Sequence, residues 1–181
     1  MRPRIYKTQG IVLARRDYSE ADRILSVLTR NWGRISMIAK SVRKPKSRKR
    51  AHIEVFNYIN FSAGKGRGID IIYEVEIVDN FLEIRKNLKK VSLAYYFMEV
   101  IGKITAENQP NTELFETLLK YLNLLKGETK LKRLRLSFIY EILIDLGFWP
   151  KEKVLDDADQ KLSEILERNL SSVRVGKKLL S

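Results

Sequence analysis

The sequence predicts an α+β chain of two domains: a small five-stranded β-barrel over residues 1–80 and an all-α domain over residues 81–181. Three observations carry that expectation. Through the first eighty positions, apolar residues alternate in short runs bounded by Gly, Asn and Ser, as in half-buried strands. From Leu82 onward the apolar spacing becomes three and four residues, the period of a helix. Between the third and fourth predicted strands lies Lys40-Ser-Val-Arg-Lys-Pro-Lys-Ser-Arg-Lys-Arg50, in which seven of eleven side chains are basic and none is acidic.

The predicted strands follow in order. Residues 5–16 carry Ile11, Val12 and Leu13 and exit through Arg15 and Arg16. A polar turn at 17–20 leads to residues 23–29, which alternate loosely through Ile24, Leu25, Val27 and Leu28. Asn31-Trp-Gly33 is a tight turn with glycine available for positive φ. Residues 34–40 place Ile35, Met37 and Ala39 on one face. Residues 53–61 form the fourth expected strand, Gly64-Lys-Gly-Arg-Gly68 a hairpin turn, and residues 69–81 the fifth, with Ile69, Ile71, Tyr73, Val75 and Ile77 on one face. Five strands in about eighty residues fit a closed or nearly closed barrel.

The helical half begins with Leu88, Val91, Tyr95, Met98, Ile101 and Ile104 at helical spacing. Pro110-Asn-Thr112 breaks the pattern and starts a second helix through Leu114, Phe115, Leu118, Leu119, Leu122 and Leu125 to Lys126-Gly127. A third runs from about Thr129 through Leu134, Phe138, Ile142 and Leu146 to Gly147, before Phe148-Trp149-Pro150. Short helices are expected near 158–168 and 171–180.

Charge narrows the function. The net charge is +13, and residues 1–62 hold fifteen Lys/Arg against four Asp/Glu. The positive field therefore belongs to the N-terminal third, and a basic patch of this density suits a phosphate backbone. There is no cysteine and one histidine, His52, which excludes a disulfide and argues against zinc or a nucleophilic triad. No cofactor, no metal and no catalysis are expected. No apolar run approaches membrane-spanning length and the N-terminus lacks a signal-like stretch, so a cytoplasmic protein without a membrane partner is expected.

The candidate nucleic-acid-binding residues are Lys40, Arg43, Lys44, Lys46, Arg48, Lys49 and Arg50 in the loop, extended by Lys7, Arg15, Arg16 and Arg34. Tyr6, Tyr18 and Trp32 are candidate base stackers, although packing in the core or a turn is the more ordinary role for each. Asp17, Glu20 and Asp22 resemble a Mg²⁺ cluster but sit beside Arg15, Arg16 and Arg23, as a turn with local ion pairs would. Tyr95, Tyr96, Phe97 and Met98, flanked by Lys89, Lys90 and Lys103, are core candidates that could also line a groove for an acidic peptide. The residues alone leave open an RNA-binding or ribosome-associated barrel protein and an adaptor centred on the helices.

One resemblance goes further. Thr8-Gln-Gly-Ile-Val-Leu-Ala-Arg-Arg-Asp-Tyr-Ser-Glu-Ala-Asp-Arg-Ile-Leu25, then Leu28-Thr29, Asn31-Trp-Gly33 and Ala39-Lys-Ser-Val-Arg-Lys-Pro-Lys-Ser-Arg48 resemble the N-terminal domain of the bacterial recombination mediator family RecO. Arg133-Leu-Arg-Leu-Ser-Phe-Ile-Tyr-Glu-Ile-Leu-Ile-Asp-Leu-Gly-Phe-Trp-Pro150 is similar to that family's leucine-rich helix closing in Leu-Gly-aromatic-x-Pro. The resemblance implies an OB-fold followed by a helical domain. It also implies binding of single- and double-stranded DNA, strand annealing, and help in loading RecA onto strands coated by single-stranded-DNA-binding protein. The implied partners are RecR and the acidic C-terminal tail of that coating protein. Many members carry a cysteine zinc module after the Leu-Gly-aromatic-x-Pro segment; here that place reads Lys151-Glu-Lys-Val-Leu-Asp-Asp157, so no such module is expected there.

Overall fold

The computed structural model describes residues 3–66, 68–153 and 157–166. Five strands come first: β1 (Ile5–Tyr18), β2 (Asp22–Thr29), β3 (Gly33–Ala39), β4 (Tyr58–Gly64) and β5 (Asp70–Asp79). They close into a barrel in the order β1-β2-β3-β5-β4. All neighbours are antiparallel except β3 and β5, which pair in parallel through Met37 with Asp70 and Ile38 with Ile71. This is the five-stranded barrel, followed by helices, that the sequence predicts.

The first strand serves two neighbours. Its first half pairs with β4 from Ile5 to Ile11, and its second half pairs with β2 from Gly10 to Tyr18. The handover needs a residue without a side chain, because a Cβ on Gly10 would lie 2.5 Å from Val27 Cγ1. A bulge between Val12 and Ala14 then shifts the register. The bulge explains how Ile11, Val12 and Leu13 are all buried in succession, which strict alternation forbids. Tyr6, Val12, Leu25, Val27, Ile35, Met37, Ile59, Phe61 and Ile72 fill the interior. Tyr6 brings its hydroxyl with it and donates to the buried Asp70 carboxylate at 2.6 Å.

Two expectations for this half need correction. The fourth strand starts at Tyr58, not at residue 53, and residues 40–57 are a succession of turns. Ile53, Val55 and Phe56 are nonetheless buried, so their apolar character reflects burial rather than strand pairing. In β5 a register shift falls where Ser62 pairs with Glu74 and Ala63 with Ile72, leaving Tyr73 unmatched. Beyond it the inward phase moves by one residue. Ile72 and Val75 are buried, while Tyr73 and Ile77 face solvent.

The helices are α1 (Leu82–Arg85), α2 (Leu88–Ile104), α3 (Thr112–Gly127), α4 (Leu131–Asp145) and α5 (Ala158–Leu166). The chain divides into two compact units. The first holds residues 1–80 together with Thr105–Thr112, and the second holds Phe81–Ile104 and residues 113–181. The segment between α2 and α3 therefore packs with the barrel strands. Asn108 donates its N–H to the Arg34 carbonyl at 2.8 Å, and Ser36 Oγ donates to Glu107 Oε1 at 2.5 Å.

Within the second unit, Phe97, Tyr121 and Phe138 form an aromatic core, with the Phe97 and Phe138 centroids 4.1 Å apart. Burial, and then the hydrogen bond its hydroxyl gives to Glu141, pushes the Tyr121 phenol well above its ordinary range. α3 buries Leu114, Phe115, Leu118, Leu122 and Leu125 and α4 buries Leu134, Phe138 and Ile142, as their spacing predicts, while Leu119 and Leu146 are half-buried. In α2 the predicted stripe holds in part: Met98 and Ile101 are buried and Val91 and Ile104 half-buried, but Leu88 and Tyr95 are exposed, and Leu93, Tyr96, Phe97 and Val100 are buried beside them. An uninterrupted apolar run from Leu93 to Met98 offers more than one helical phase, and packing selects among them. Arg135, 7 % exposed, forks onto both carboxylate oxygens of Asp159, joining α4 to α5. The helix expected near 171–180 lies outside the described residues.

Gly33 has φ +71°, and a Cβ there would lie 2.0 Å from the Gln109 carbonyl oxygen. Gly33→Ala is therefore expected to destabilise the barrel unit by at least ~2 kcal/mol. Urea unfolding followed by Trp32 fluorescence in a Trp149→Phe background measures it.

Candidate nucleic-acid interface

A run of like charges repels itself, so something other than charge must hold the 40–57 segment in place. Four features do so. Val42 and Ile53 are fully buried in the barrel core, and Phe56 is fully buried at the loop's end. Burial of side chains this large contributes roughly 1.5–3 kcal/mol each. At the loop's entry, Ser41 donates its N–H to Asp22 Oδ1 at 2.8 Å, and Arg43 donates its N–H to the Ala21 carbonyl at 2.9 Å. At its exit, the buried Asn57 amide donates to the carbonyls of Ala51 and His52 at 3.1 and 2.9 Å, while Phe56 donates its N–H to Val12 at 2.8 Å. His52 donates from Nδ1 to the Val75 carbonyl at 2.8 Å, since a carbonyl can only accept. Four-residue turns, closed by the Ser47 N–H on the Lys44 carbonyl and the His52 N–H on the Lys49 carbonyl, complete a shaped segment rather than a free tether.

The eleven predicted cations divide by what they touch. Arg15 pairs with Glu54 at 2.8 Å. Arg34 donates from Nε and Nη2 to the Thr105 carbonyl at 3.2 and 3.0 Å and lies 3.4 Å from Glu107, so its guanidinium holds the Thr105–Thr112 segment. Arg43 lies 3.5 Å from Asp17 and donates to the Ser19 carbonyl at 3.2 Å. Lys7, Arg16, Lys40, Lys44, Lys46, Arg48, Lys49 and Arg50 make no ion pair among the described residues. All of these but Lys49, which is half-buried, are exposed.

The acidic turn is structural in its contacts. Asp17 accepts from Arg23 Nε at 2.9 Å, and that bond, followed by the nearby Arg43 charge, holds its carboxyl below the usual range despite some desolvation. Among the described residues, no group of three or more His, Cys, Asp or Glu is placed to hold a metal ion. No helix among them is long and apolar enough to cross a membrane.

The aromatic candidates also separate. Tyr6, 5 % exposed, belongs to the core, and half-buried Trp32 packs edge-on against it at 6.3 Å; Tyr18, 47 % exposed, faces solvent. Sequence reasoning missed Tyr73 as a stacking candidate, grouping it on one strand face with Ile69, Ile71, Val75 and Ile77. It is 44 % exposed. A β-bulge leaves no mark on composition, and the available signal was Gly64 across the hairpin, which makes room for the ring.

In the helical unit, Tyr96, Phe97 and Met98 are buried in the core, while Tyr95 is exposed. Lys90 is turned onto the Lys126 carbonyl and Lys103 onto Glu99. A groove of about 570 Å³ lies instead along the start of α4, lined by Lys89, Lys130, Leu131, Lys132, Arg133 and Leu136. Its charged lining is wholly cationic.

The chain matches a family model described as Recombination protein O N terminal over residues 1–81, and one described as Recombination protein O C terminal over residues 85–154. It is 36 % identical over 147 residues to the DNA repair protein RecO of Pelotomaculum thermopropionicum, covering 81 % of this chain and 57 % of that protein. It is 34 % identical over 161 residues to the DNA repair protein RecO of Dehalococcoides mccartyi, covering 89 % and 64 %. With that of Desulforamulus reducens it shares 38 % over 122 residues, covering 67 % and 48 %. The matched region thus spans about half to two thirds of the length of these curated relatives. With both halves of the architecture matched in order, the chain belongs to the RecO family of DNA repair and recombination proteins.

Proposed function

We propose that this chain is a non-enzymatic recombination mediator that binds single- and double-stranded DNA on the cationic loop and adjoining barrel surface. It anneals complementary strands and assists RecA loading on strands coated by single-stranded-DNA-binding protein. The observation that carries this reading is the loop: six exposed or half-buried cations at 40–50 without an acidic partner among the described residues, on a segment fixed to the barrel by Val42, Ile53, Phe56 and Asn57. Phosphates are common to single strands and duplexes, so such a surface binds both. Two strands that must meet repel each other through their phosphates. A surface that neutralises phosphates on both lowers that repulsion, and counterion release drives the association.

Arg15, Arg34 and Arg43 support this surface through protein contacts, while Lys7, Arg16 and the remaining loop cations meet the DNA. The groove along α4 suits the acidic tail of the coating protein, because its cations can meet carboxylates while Leu131 and Leu136 supply an apolar floor. RecR is the further partner, and the site of action is the cytoplasm at the nucleoid.

Fluorescence-monitored annealing of two complementary oligonucleotides tests the reading. The protein is expected to accelerate annealing of bare strands and of coated strands; acceleration of neither contradicts the proposal. For about five phosphates the log-log salt slope is expected to be roughly −3.5 for single-strand binding, against roughly −4.5 for duplex. Alanine at Lys44, Lys46, Arg48, Lys49 and Arg50 should flatten it, and an unchanged slope would remove the loop from the interface. Arg34→Ala should instead lower stability by about 1–2 kcal/mol, through lost hydrogen bonds to Thr105, and leave the slope intact. Lys130→Ala/Lys132→Ala/Arg133→Ala should abolish the acceleration on coated strands only. A parallel loss on bare strands would place the groove in DNA binding rather than tail binding.

A further inference from the structure

The outer face of β1, β4 and β5 carries a groove of about 810 Å³ that the loop cations alone do not explain. Cross-strand pairing sets its floor in rungs. Gln9, Asn60 and Glu76 form one, and Lys7, Ser62 and Glu74 form the next. At the following step Ile5 pairs with Gly64, and the Tyr73 ring lies across that glycine. A Cβ on Gly64 would sit 2.6 Å from the Tyr73 hydroxyl oxygen and 2.7 Å from Cε2. The ring is thus braced by main chain on one side while the residue keeps 44 % of its surface in solvent. The groove also takes in Arg48, Lys49 and His52 from the loop, which the His52 bond to the Val75 carbonyl fastens to β5.

The chemistry of this lining is two-sided. Lys7 on β1 and Arg48 and Lys49 on the loop offer cations without acidic partners among the described residues. Asn60, Glu74 and Glu76 on β4 and β5 offer hydrogen-bonding groups, two of them anionic. Carboxylates on the floor repel phosphates and accept hydrogen bonds from the amino groups of bases. An aromatic ring fixed beside them offers a stacking surface for an unpaired base. We propose that this groove is the seat of an unpaired nucleic-acid strand, held with its phosphates on Lys7, Arg48 and Lys49 and its bases turned onto the β4–β5 surface, with Tyr73 stacking one of them. The proposal rests on the DNA-binding reading above and adds to it a site that duplex DNA cannot use, because paired bases are already stacked on one another.

Equilibrium binding of labelled oligo-dC, oligo-dT and a duplex of equal length tests it, using the full chain and its Tyr73→Leu and Tyr73→Phe variants. Tyr73→Leu is expected to weaken single-strand binding roughly 5- to 100-fold, the loss of one stacked base. It should leave duplex affinity and the single-strand salt slope unchanged. Tyr73→Phe, which keeps the ring, should bind like the parent. Thermal unfolding of both variants reports whether the barrel is intact. Parent-like single-strand binding by a folded Tyr73→Leu, or an equal loss on duplex, overturns the groove assignment while leaving the loop reading in place. Failure of the parent to bind any of the three oligonucleotides overturns both.

Discussion

The cationic loop has to be held against its own repulsion, and everything the barrel offers as a surface depends on how that is done. Seven basic side chains within eleven residues favour an expanded segment. Three apolar side chains set between and after them oppose this by being drawn into or against the barrel. Val42 lies inside the basic run, and Ile53 and Phe56 lie just past its end. Asn57 then closes the return by satisfying two loop carbonyls from a fully buried position. The outcome is a backbone held in place before any ligand arrives, so ordering the segment that carries the charges costs less on binding.

The barrel supplies the frame, and small residues make its geometry possible at named points. Gly10 lets β1 pass from one neighbour to the next without striking Val27. Gly33 turns the β2–β3 hairpin while Gln109 approaches its backbone, which lets Thr105–Thr112 pack on β3 and occupy Arg34. Gly64 makes room for Tyr73 on the outer face. The parallel pairing of β3 with β5 closes the circle and removes the free edges that an open five-stranded sheet would expose.

Much of this was legible in the residues. Strand period, turn glycines and the change to helical spacing at Leu82 led to the barrel followed by helices, and β3 shows the expected alternation of Ile35, Met37 and Ala39. The basic run and its lack of nearby acids were equally plain. What escaped were features set by three-dimensional register. Two β-bulges changed which residues face inward, hiding Tyr73 and burying Leu13. Apolar residues at 53–56 read as strand because burial and strand pairing leave the same composition. A segment between two helices could not announce that it packs beside β3, since Arg34 meets Thr105 and Glu107 more than seventy residues away. The phase of α2 was chosen by its packing partners from a run that is apolar nearly all round.

The central claim is that the loop and the adjoining barrel face, rather than the basic groove of the helices, hold the DNA. Photo-crosslinking of a single strand carrying 5-bromodeoxyuridine, read by peptide mass spectrometry, addresses it directly. Crosslinks within residues 5–9, 44–52 and 60–76 are the predicted result. Crosslinks confined to residues 88–137 would contradict it and move nucleic-acid binding to the helical unit.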